Sequence, residues 1–465
     1  MGRLRRIIPR LAAAGILATA VLLVATFDAV DYRPSFRQSY HSETLSRLHT
    51  ILATNQAVEG ELAAGFGRAV LTPVINSGQI DPASGKFATV PLAGYGGRKG
   101  KPATGVHDDL FVKAVALRVD KRLGVMVGVD ALIIPAEVTE LVMKRLSVEL
   151  QLAREQVYLG ATHTHASLGG WGEGLVAEAF AGEFQPGIRD WFADRIVAAV
   201  KDAVGNLQPA SVGHGRFSAR EFVRNRLVGE LGSVDPEFGF LVLRQHAGAK
   251  CVVGSFAAHA TVLSAEVMQF SGDYPGFWQR GVERATGGLA LFMAGGVGSH
   301  SPVPGERGFI GAERMGNTLA AVLLDELNTI ALTNRVELSL AGVEVTMPPL
   351  NWRITDHIRF RPWAARALLR APERAYVQAF RIGSTVWLST PCDFSGEMAL
   401  EIKDMLRARG GDGVVTSFNG SYIGYVVPAR YYHLAGYEPR VMSFFGPNTA
   451  DYLDEILRKL ALGAL

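Results

Sequence analysis

The hydrophobic pattern of the chain consists of short apolar runs, typical of buried strands, separated by longer amphipathic stretches, typical of helices. The strand-like runs lie at 66–71, 88–92, 110–119, 124–129, 157–159, 238–243, 251–256, 289–293, 336–345, 375–382, 385–388 and 414–418. The amphipathic stretches that predict helices lie at 135–150, 188–204, 311–328 and 451–460. Because strands and helices follow one another along the chain, the pattern predicts an α/β fold with a layered mixed sheet and flanking helices.

The first sixty residues depart from this pattern. Several arginines among the first ten residues precede an uncharged apolar run, Leu11–Phe27. A basic start followed by an apolar segment is typical of a signal peptide or an uncleaved signal-anchor, and both predict an exported chain. We favour an uncleaved anchor with its basic end in the cytoplasm. We therefore expect a signal-anchor or signal peptide at residues 1–29, a polar stalk at 30–60 and one catalytic body at 61–465.

Composition narrows the function classes. The formal net charge of +3 over 465 residues, without a basic patch interleaved with aromatic residues, does not fit a nucleic-acid-binding protein, so no nucleic-acid partner is expected. Two cysteines, Cys251 and Cys392, are too few for a disulfide framework, and their distance in sequence leaves open whether they are paired or free.

Two histidines follow one of the predicted strands and favour a metal site. His163 and His165 stand at i and i+2 in the loop after 157–159, so their rings share one face if that loop is extended. Paired imidazoles on a glycine-rich loop suit a metal ion such as zinc. The alternative is that both histidines belong to an ordinary hydrogen-bond network in a loop.

Other reactive side chains also come directly after predicted strands. These residues are His259, Ser301, Asp393 and Tyr425. Because sites in α/β sheets assemble at the carboxyl ends of strands, we expect a site at the strand carboxyl ends. Two or three histidines with one carboxylate and an open position for water make up the ligand set of a catalytic zinc. Each residue alone also fits a turn, a helix cap or a core position, so the prediction rests on their shared placement.

Together these segments resemble the neutral/alkaline (non-lysosomal) ceramidase family over about residues 65–460. The matching segments are Gly94-Tyr95, Gly105–His107, Gly160–His165, Asn225-Arg226, Phe256–His259, Ser271–Asp273, Val297–Pro302, Pro391–Phe394 and Tyr425–Glu438. The resemblance implies that residues 61–465 form a ceramidase-like zinc hydrolase domain. The family's separate C-terminal β-domain is not expected in this chain.

The resemblance also implies an activity and a set of site residues. It implies hydrolysis of the N-acyl bond of ceramide to a sphingoid base and a fatty acid, with one Zn²⁺ per chain. The residues implied as zinc ligands are His163, His259, Asp393 and Tyr425. The residues implied at the reaction centre are Ser301 as catalytic serine, with His165, Arg226 and Tyr437. The expected partners are a lipid-like N-acyl amide and, through the N-terminal segment, a membrane.

The serine loop departs from the family pattern. Where the family has Gly-Asp-x-Ser-Pro-Asn, this chain has Ser299 in place of Asp, Val303 in place of Asn, and His300 beside the serine. Asp393 stands where the family has Glu. These departures leave two alternatives open, a zinc hydrolase of another amide or ester and an inactive membrane-anchored metal-binding homologue.

Overall fold

The computed structural model describes residues 2–465, with side chains described for 7–465, and has the predicted mixed α/β architecture. Its α-helices span Gly2–Thr26 (α1), Ser39–Thr54 (α2), Ala136–Glu149 (α3), Leu175–Ala181 (α4), Pro186–Gly205 (α5), Asp273–Thr286 (α6), Gly308–Leu327 (α7), Pro362–Leu369 (α8), Gly396–Arg407 (α9) and Thr449–Ala464 (α10). All the helices predicted from the hydrophobic pattern are confirmed to within a few residues.

The strands are short except for a few that build the central sheet. They span Phe27–Ala29 (β1), Val58–Val70 (β2), Gly105–Val106 (β3), Phe111–Val119 (β4), Arg122–Val129 (β5), Val157–Ala161 (β6), Gln208–Ser218 (β7), Val223–Asn225 (β8), Glu237–Gln245 (β9), Lys250–Phe256 (β10), Gln269–Phe270 (β11), Leu289–Ala294 (β12), His300–Pro302 (β13), Arg335–Thr346 (β14), Ile358–Phe360 (β15), Arg374–Ile382 (β16), Thr385–Ser389 (β17), Asp393–Phe394 (β18), Asp412–Thr416 (β19) and Tyr425–Val426 (β20). The predicted strands have counterparts among them, except for the run at 88–92, where only isolated bridges at Pro91 and Leu92 form.

The central sheet branches at the long strand β2. This strand pairs with β4 along 62–70, with β14 along 58–61 and with β7 at 63–64. One arm continues through β4, β5 and β6, a second from β7 through β9 and β10 to β12, and a third from β14 through β16 and β17 to β19. The last pair of each arm is parallel, whereas the pairs nearer β2 are antiparallel, so the sheet is mixed.

Branching folds the arms over one another, so that two sheet layers pack between helices. Helix α5 covers the outer face of β2 and β4, α6 and α7 cover the β9–β10–β12 arm, and α2 and α10 cover the β14–β16 arm. The layers approach closely because glycines stand where they meet. A Cβ at Gly128 would lie 2.6 Å from the Leu291 side chain, and one at Gly160 would lie 2.8 Å from Met293.

Successive side chains along a strand point to opposite faces of the sheet. One set lies in the core between the two sheet layers, and the other lies in the cores under the helices. On β4, Val115 and Leu117 face the core between the sheet layers, whereas Ala114 and Ala116 face the helices. The small alanines let α5 lie close to the sheet. The sequence left open whether the two cysteines are paired. Cys251 and Cys392 lie in these cores, and both are buried free thiols.

The segment 30–60, expected to be a stalk, is instead part of the packed body. Helix α2 lies against β14 and α10, with Thr44 and Leu48 buried. The Tyr452 hydroxyl donates to Thr44 Oγ1 at 2.8 Å, and Arg47 Nε donates to the Glu344 carbonyl at 3.0 Å. The polar side chains of α2 therefore have partners on the body, which is why a polar composition misled the sequence interpretation.

The N-terminal apolar run forms the exposed helix α1. Residues Ile7–Thr26 have a mean hydropathy of 2.2, and by length and composition they suffice to cross a bilayer. The end of this helix is attached to the body, because β1 pairs with β15 and the Trp363 indole donates to the Ala25 carbonyl at 3.0 Å. An N-terminal helix of this kind is consistent with a signal-anchor or signal peptide.

Candidate metal centre and active site

The carboxyl ends of strands from all three arms of the sheet meet at one place. His163 follows β6, His259 follows β10, and Asp393 follows β17. All three side chains are buried. The shared position after strands, on which the sequence prediction rested, thus brings these residues together in space.

His163, His165 and His259 form a cluster whose Nε2 atoms converge. Nε2 of His163 lies 2.8 Å from Nε2 of His259 and 3.2 Å from Nε2 of His165. Two nitrogens bound to one zinc at tetrahedral angles would be about 3.3 Å apart. The cluster therefore has the size and the donor atoms of a metal site.

The second ring nitrogens of two of these histidines fix their tautomers. Nδ1 of His163 lies 2.6 Å from the Leu132 carbonyl oxygen, and Nδ1 of His259 lies 3.3 Å from that of Val297. A carbonyl only accepts hydrogen bonds, so each Nδ1 donates and each Nε2 presents a lone pair. Burial lowers the pKa of His163 to about 3 and also lowers that of His259, so both rings are neutral near pH 7. Two lone pairs at this distance repel each other unless a cation lies between them.

Asp393 supplies a carboxylate oxygen that also lacks a partner. Its Oδ1 is buried, has no hydrogen bond in the described structure, and lies 3.7 Å from Nε2 of His163 and 3.9 Å from Nε2 of His259. Its Oδ2 accepts from the Tyr422 hydroxyl at 2.7 Å. Burial raises the pKa of Asp393 to about 7, because the cost of removing a carboxylate from water outweighs the nearby charge of Arg226 and the Tyr422 hydrogen bond. An unpartnered oxygen this close to two imidazole lone pairs fits a bound metal ion.

Tyr425 stands directly beside Asp393. The two residues are paired in the parallel contact of β18 with β20, so their side chains leave neighbouring strands at the same level. The Tyr425 hydroxyl accepts a hydrogen bond from Arg226 Nη2 at 2.9 Å. The structure therefore brings Tyr425 to the cluster, while its role as a zinc ligand stays a prediction.

The backbone at His163 adopts an unusual conformation that presents its ring to the cluster. His163 has φ +61°, a left-handed conformation uncommon for a residue other than glycine. Its ring stacks on that of Phe418, with centroids 3.8 Å apart and an angle of 4°. Phe418 also has a positive φ, of +64°. These contacts hold the imidazole in the orientation in which Nε2 faces His259.

His165 differs from the other two histidines in its surroundings. Its Nδ1 is buried and has no hydrogen-bond partner in the described residues, so no acceptor fixes its tautomer. Gly94 closes over it, and a Cβ there would lie 2.7 Å from the His165 side chain. The ring of Tyr95 is 4.7 Å away, centroid to centroid. His165 is thus positioned precisely enough by packing to reach the cluster, yet it remains free to carry a proton on either nitrogen.

Arg226 connects the cluster to the tyrosine-rich loop. Besides Tyr425, its Nη2 donates to the Gly298 carbonyl at 3.2 Å, and its Nε lies 3.2 Å from Glu438 Oε1. The ring of Tyr437 lies 5.9 Å from that of Tyr425. The predicted reaction-centre residues Arg226 and Tyr437 therefore lie beside the histidine cluster, in the wall of one cavity with His165 and His259.

Ser301 and His300 face opposite sides of β13. Ser301 lines the cavity in front of the cluster, and the described residues provide its hydroxyl with no hydrogen-bonded base. His300 is buried behind that strand, where its Nδ1 lies 2.7 Å from Ser299 Oγ and its Nε2 accepts from the Asp235 amide at 2.8 Å. His300 is therefore a structural group of the altered loop and does not activate Ser301.

Two cavities meet at the cluster. The first, of about 630 Å³, is the more polar of the two and contains His165, Arg226, His259 and Ser301 in its wall. The second, of about 300 Å³, is largely apolar and touches His163 and Asp393 at its inner end. Its apolar wall includes Leu132, Ile133, Trp171, Val176, Leu369 and Phe444. An amphiphile that occupied both cavities would have the middle of its molecule at the histidine cluster.

Several residues that shape the site escaped the sequence interpretation. Tyr422 holds Asp393, Phe418 stacks on His163, and Leu132 orients the same imidazole through its backbone carbonyl. Tyr422 stands three residues before Tyr425 in a tyrosine-rich loop, and that spacing could have drawn attention to it. A backbone carbonyl gives no signal in a sequence.

We expect Tyr422→Phe to weaken zinc binding by about tenfold to a hundredfold, because groups that hold a metal ligand from behind have effects of this size. The substitution leaves Oδ2 of Asp393 without its donor and lets the carboxylate rotate. Competition with a chromophoric chelator measures the change. Tyr32→Phe is the control, since the Tyr32 hydroxyl is exposed and donates to the Asp356 carbonyl instead of to a residue of the cluster. Equal zinc affinity in Tyr422→Phe and the unsubstituted protein would contradict a role of Tyr422 in orienting Asp393 for metal binding.

Comparisons with known proteins agree with the resemblance predicted from sequence. The family model described as neutral/alkaline non-lysosomal ceramidase, N-terminal, matches residues 75–291. The chain is similar to the neutral ceramidase of Pseudomonas aeruginosa, with 26% identity over 238 residues, which cover 47% of this chain and 35% of that protein. It is also similar to the neutral ceramidase of Mycobacterium tuberculosis, with 29% identity over 231 residues, which cover 46% and 36%. The matches thus span about a third of the length of these relatives.

The fold comparison extends further along the chain. The crystal structure of the neutral ceramidase from Pseudomonas aeruginosa aligns with a TM-score of 0.71 at 21% identity, covering 87% of this chain and 74% of that one. A second structure, of a ceramidase complexed with C2, gives a TM-score of 0.71 at 20% identity and covers 86% and 75%. The predicted fold class is confirmed. The match to the family model includes the three histidines and Arg226, whereas Ser301, Asp393, Tyr425 and Tyr437 lie beyond it.

Proposed function

The chain belongs to the neutral/alkaline non-lysosomal ceramidase family, and from this premise we propose that it is a zinc-dependent amidohydrolase that cleaves the N-acyl bond of a lipid amide such as ceramide. The comparisons support a ceramidase-like hydrolase. The observation that carries the finer proposal is the convergence of two imidazole lone pairs and the unpartnered Asp393 Oδ1 where the two cavities meet.

In this proposal one zinc ion per chain is held by His163, His259, Asp393 and Tyr425. The donor set of neutral imidazoles and one carboxylate is that of catalytic zinc sites. When bound, zinc supplies a Lewis acid that polarises a carbonyl oxygen and lowers the pKa of a water from 15.7 to about 7. The pairing of Asp393 with Tyr425 on adjacent strands supports the tyrosine as the fourth ligand.

The chain's own residues then bind the substrate and move protons. The acyl chain occupies the apolar cavity, which leaves the amide carbonyl beside the cluster. Arg226 and Tyr437 donate hydrogen bonds to the oxygen that gains negative charge as the carbonyl is attacked. His165, whose Nδ1 has no competing partner, transfers a proton to the departing amine nitrogen. Ser301, in the wall of the polar cavity, contacts the amine part of the substrate.

A lipid substrate accords with an exported, membrane-anchored enzyme. Helix α1 is exposed and apolar, and its end is joined to β15 and α8 on the body. The apolar cavity also includes Leu369, the last residue of α8. In the proposed arrangement the anchor holds the opening of the apolar cavity near the bilayer in which the substrate resides.

The proposal is tested with the full-length chain in non-ionic detergent. We expect hydrolysis of a fluorescent short-acyl ceramide, its loss after treatment with 1,10-phenanthroline, and its return on addition of zinc. The parallel measurement is zinc content by mass spectrometry. Bound zinc without turnover on any ceramide would exclude ceramide and leave another amide or ester. Absence of both zinc and turnover would favour an inactive homologue.

A further inference from the structure

Three functional side chains leave one face of the short β8–β13 pair. Arg224 on β8 is paired directly with Ser301 on β13, so both side chains point to the same side. Arg226, two residues after Arg224, continues that face, and its amide donates to the Ser299 carbonyl. The residues between them, Asn225 and His300, are buried on the opposite face. Arg224 therefore projects into the polar cavity beside the reaction centre.

Another arginine reaches the same cavity from a different element. Arg307 precedes α7 and lines the cavity together with Tyr95, whose ring packs against His165. Arg226 forms an ion pair with Glu438, but within the described residues neither Arg224 nor Arg307 has a carboxylate partner. The described wall of this cavity contains no Asp or Glu at all. Two guanidinium groups without counter-ions in a cavity are an anion-binding arrangement.

The apolar cavity has the opposite electrostatic character. At its mouth Glu173 is paired with Arg370 at 2.7 Å, whereas Glu137 and Glu140 have no cationic partner among the described residues, and its interior is largely apolar. An anionic group would be repelled there, and a long alkyl chain would be accommodated. The two cavities thus favour one orientation of a bound amphiphile. Its alkyl chain lies on the Asp393 side of the histidine cluster, and its anionic group lies on the Ser301 side.

We propose that Arg224 and Arg307 select N-acyl amides whose amine part carries an anionic group, namely a carboxylate, a sulfonate or a phosphate. This inference rests on the proposed amidohydrolase function and names its substrate class. In the reaction the C–N bond breaks, the acyl carbon receives the OH of water to give a fatty acid, and the amine nitrogen receives the remaining proton. Ceramide would instead place the long alkyl chain of its sphingoid base against the arginines, which makes it a weaker substrate.

The test compares substrates that differ only in charge on the amine side. N-dodecanoylglycine and N-dodecanoylglycinamide have the same acyl chain and nearly the same size. For the zinc-loaded full-length chain we expect kcat/KM to be about tenfold higher for the glycine conjugate, the factor of a single hydrogen bond to a charged group. N-dodecanoyltaurine and N-dodecanoylphosphoethanolamine identify which anion fits best, and C12 ceramide serves as the neutral two-chain substrate.

Arginine variants connect the preference to the two side chains. Arg224→Gln and Arg307→Gln should each reduce the ratio of kcat/KM between glycine and glycinamide conjugates, and the double variant should bring it near one. Arg335→Gln is the matched control, because Arg335 is an exposed arginine that pairs with Glu59 on a distant surface. A ratio near one in the unsubstituted protein, or a ratio that the double variant leaves intact, would overturn the inference while leaving the amidohydrolase proposal in place.

Binding separates this inference from the function on which it rests. If no amide is cleaved, titration calorimetry of the intact glycine and glycinamide conjugates still decides the matter. Tighter binding of the anionic conjugate, weakened by Arg224→Gln and by Arg307→Gln, would support the anion site although the proposed hydrolysis had failed. Equal affinity for both conjugates would overturn it.

Discussion

His163→Ala is expected to lose bound zinc and to reduce turnover by at least about a thousandfold, because in the proposed reaction the attacking water is activated by the metal. The substitution removes the nitrogen on which the cluster centres, which lies 2.8 Å from His259 Nε2 and 3.7 Å from Asp393 Oδ1. It leaves the Asp393 oxygen with one imidazole instead of two. Zinc content after dialysis and turnover of the best amide substrate measure the two effects.

Controls for this prediction address the unusual backbone at His163. Because its φ is +61°, a substitution could also disturb the loop, so His259→Ala is made in parallel at a position of ordinary conformation. Loss of zinc in both variants with unchanged circular dichroism assigns the effect to the ligand atoms. His246→Ala, which alters an exposed histidine, should keep zinc and activity. Stoichiometric, tightly bound zinc in both cluster variants would refute the assignment of this site.

The sequence predicted the residues of the cluster better than their connections. His163, His259 and Asp393 each follow an apolar run, and the rule that sites form at strand carboxyl ends was sufficient to group them. The rule does not say which strands are neighbours. That β6 lies over β12 follows from glycines such as Gly160, whose missing side chain admits Met293, and such non-local contacts have no signature in the local pattern.

The segment 30–60 failed as a prediction for a related reason. Its helix buries Thr44 and orders Arg47 through partners more than two hundred residues away in sequence, namely Tyr452 and Glu344. Polar residues that are satisfied by distant partners look the same in a sequence as polar residues in water. The expectation of a stalk was therefore reasonable from composition, and only tertiary packing corrects it.

The altered serine loop illustrates what a sequence comparison leaves open. His300 next to Ser301 invites the interpretation of a base beside a nucleophile. Alternation along β13 places the two side chains on opposite faces, and His300 is held by Ser299 and by the Asp235 amide. His300 is therefore not placed to act as a base for Ser301. Arg226, by contrast, contacts the Tyr425 hydroxyl at the reaction centre.

Arg226 fixes the open side of the site through three contacts that require a planar, forked group. Its guanidinium reaches the Tyr425 hydroxyl, the Gly298 carbonyl and Glu438 Oε1 at 2.9 to 3.2 Å. A lysine ammonium is a compact group on a flexible stem and does not reproduce this geometry. The positive charge also lies where negative charge develops on the substrate oxygen in the proposed reaction.

We therefore expect Arg226→Gln to lower kcat by about a hundredfold to a thousandfold, with a small change in KM. This is the effect of removing one hydrogen-bond donor to a substrate oxygen that becomes negatively charged in the reaction. Arg226→Lys should retain part of the rate, since it keeps the charge and loses the fork. Zinc content, measured in the same samples, should remain at one per chain, which separates this effect from metal loss. Arg335→Gln removes an exposed arginine that pairs with Glu59 and should match the unsubstituted protein. If Arg226→Gln raised KM while kcat stayed constant, Arg226 would bind the substrate in its ground state only, and the oxygen would have to be stabilised by the metal and Tyr437.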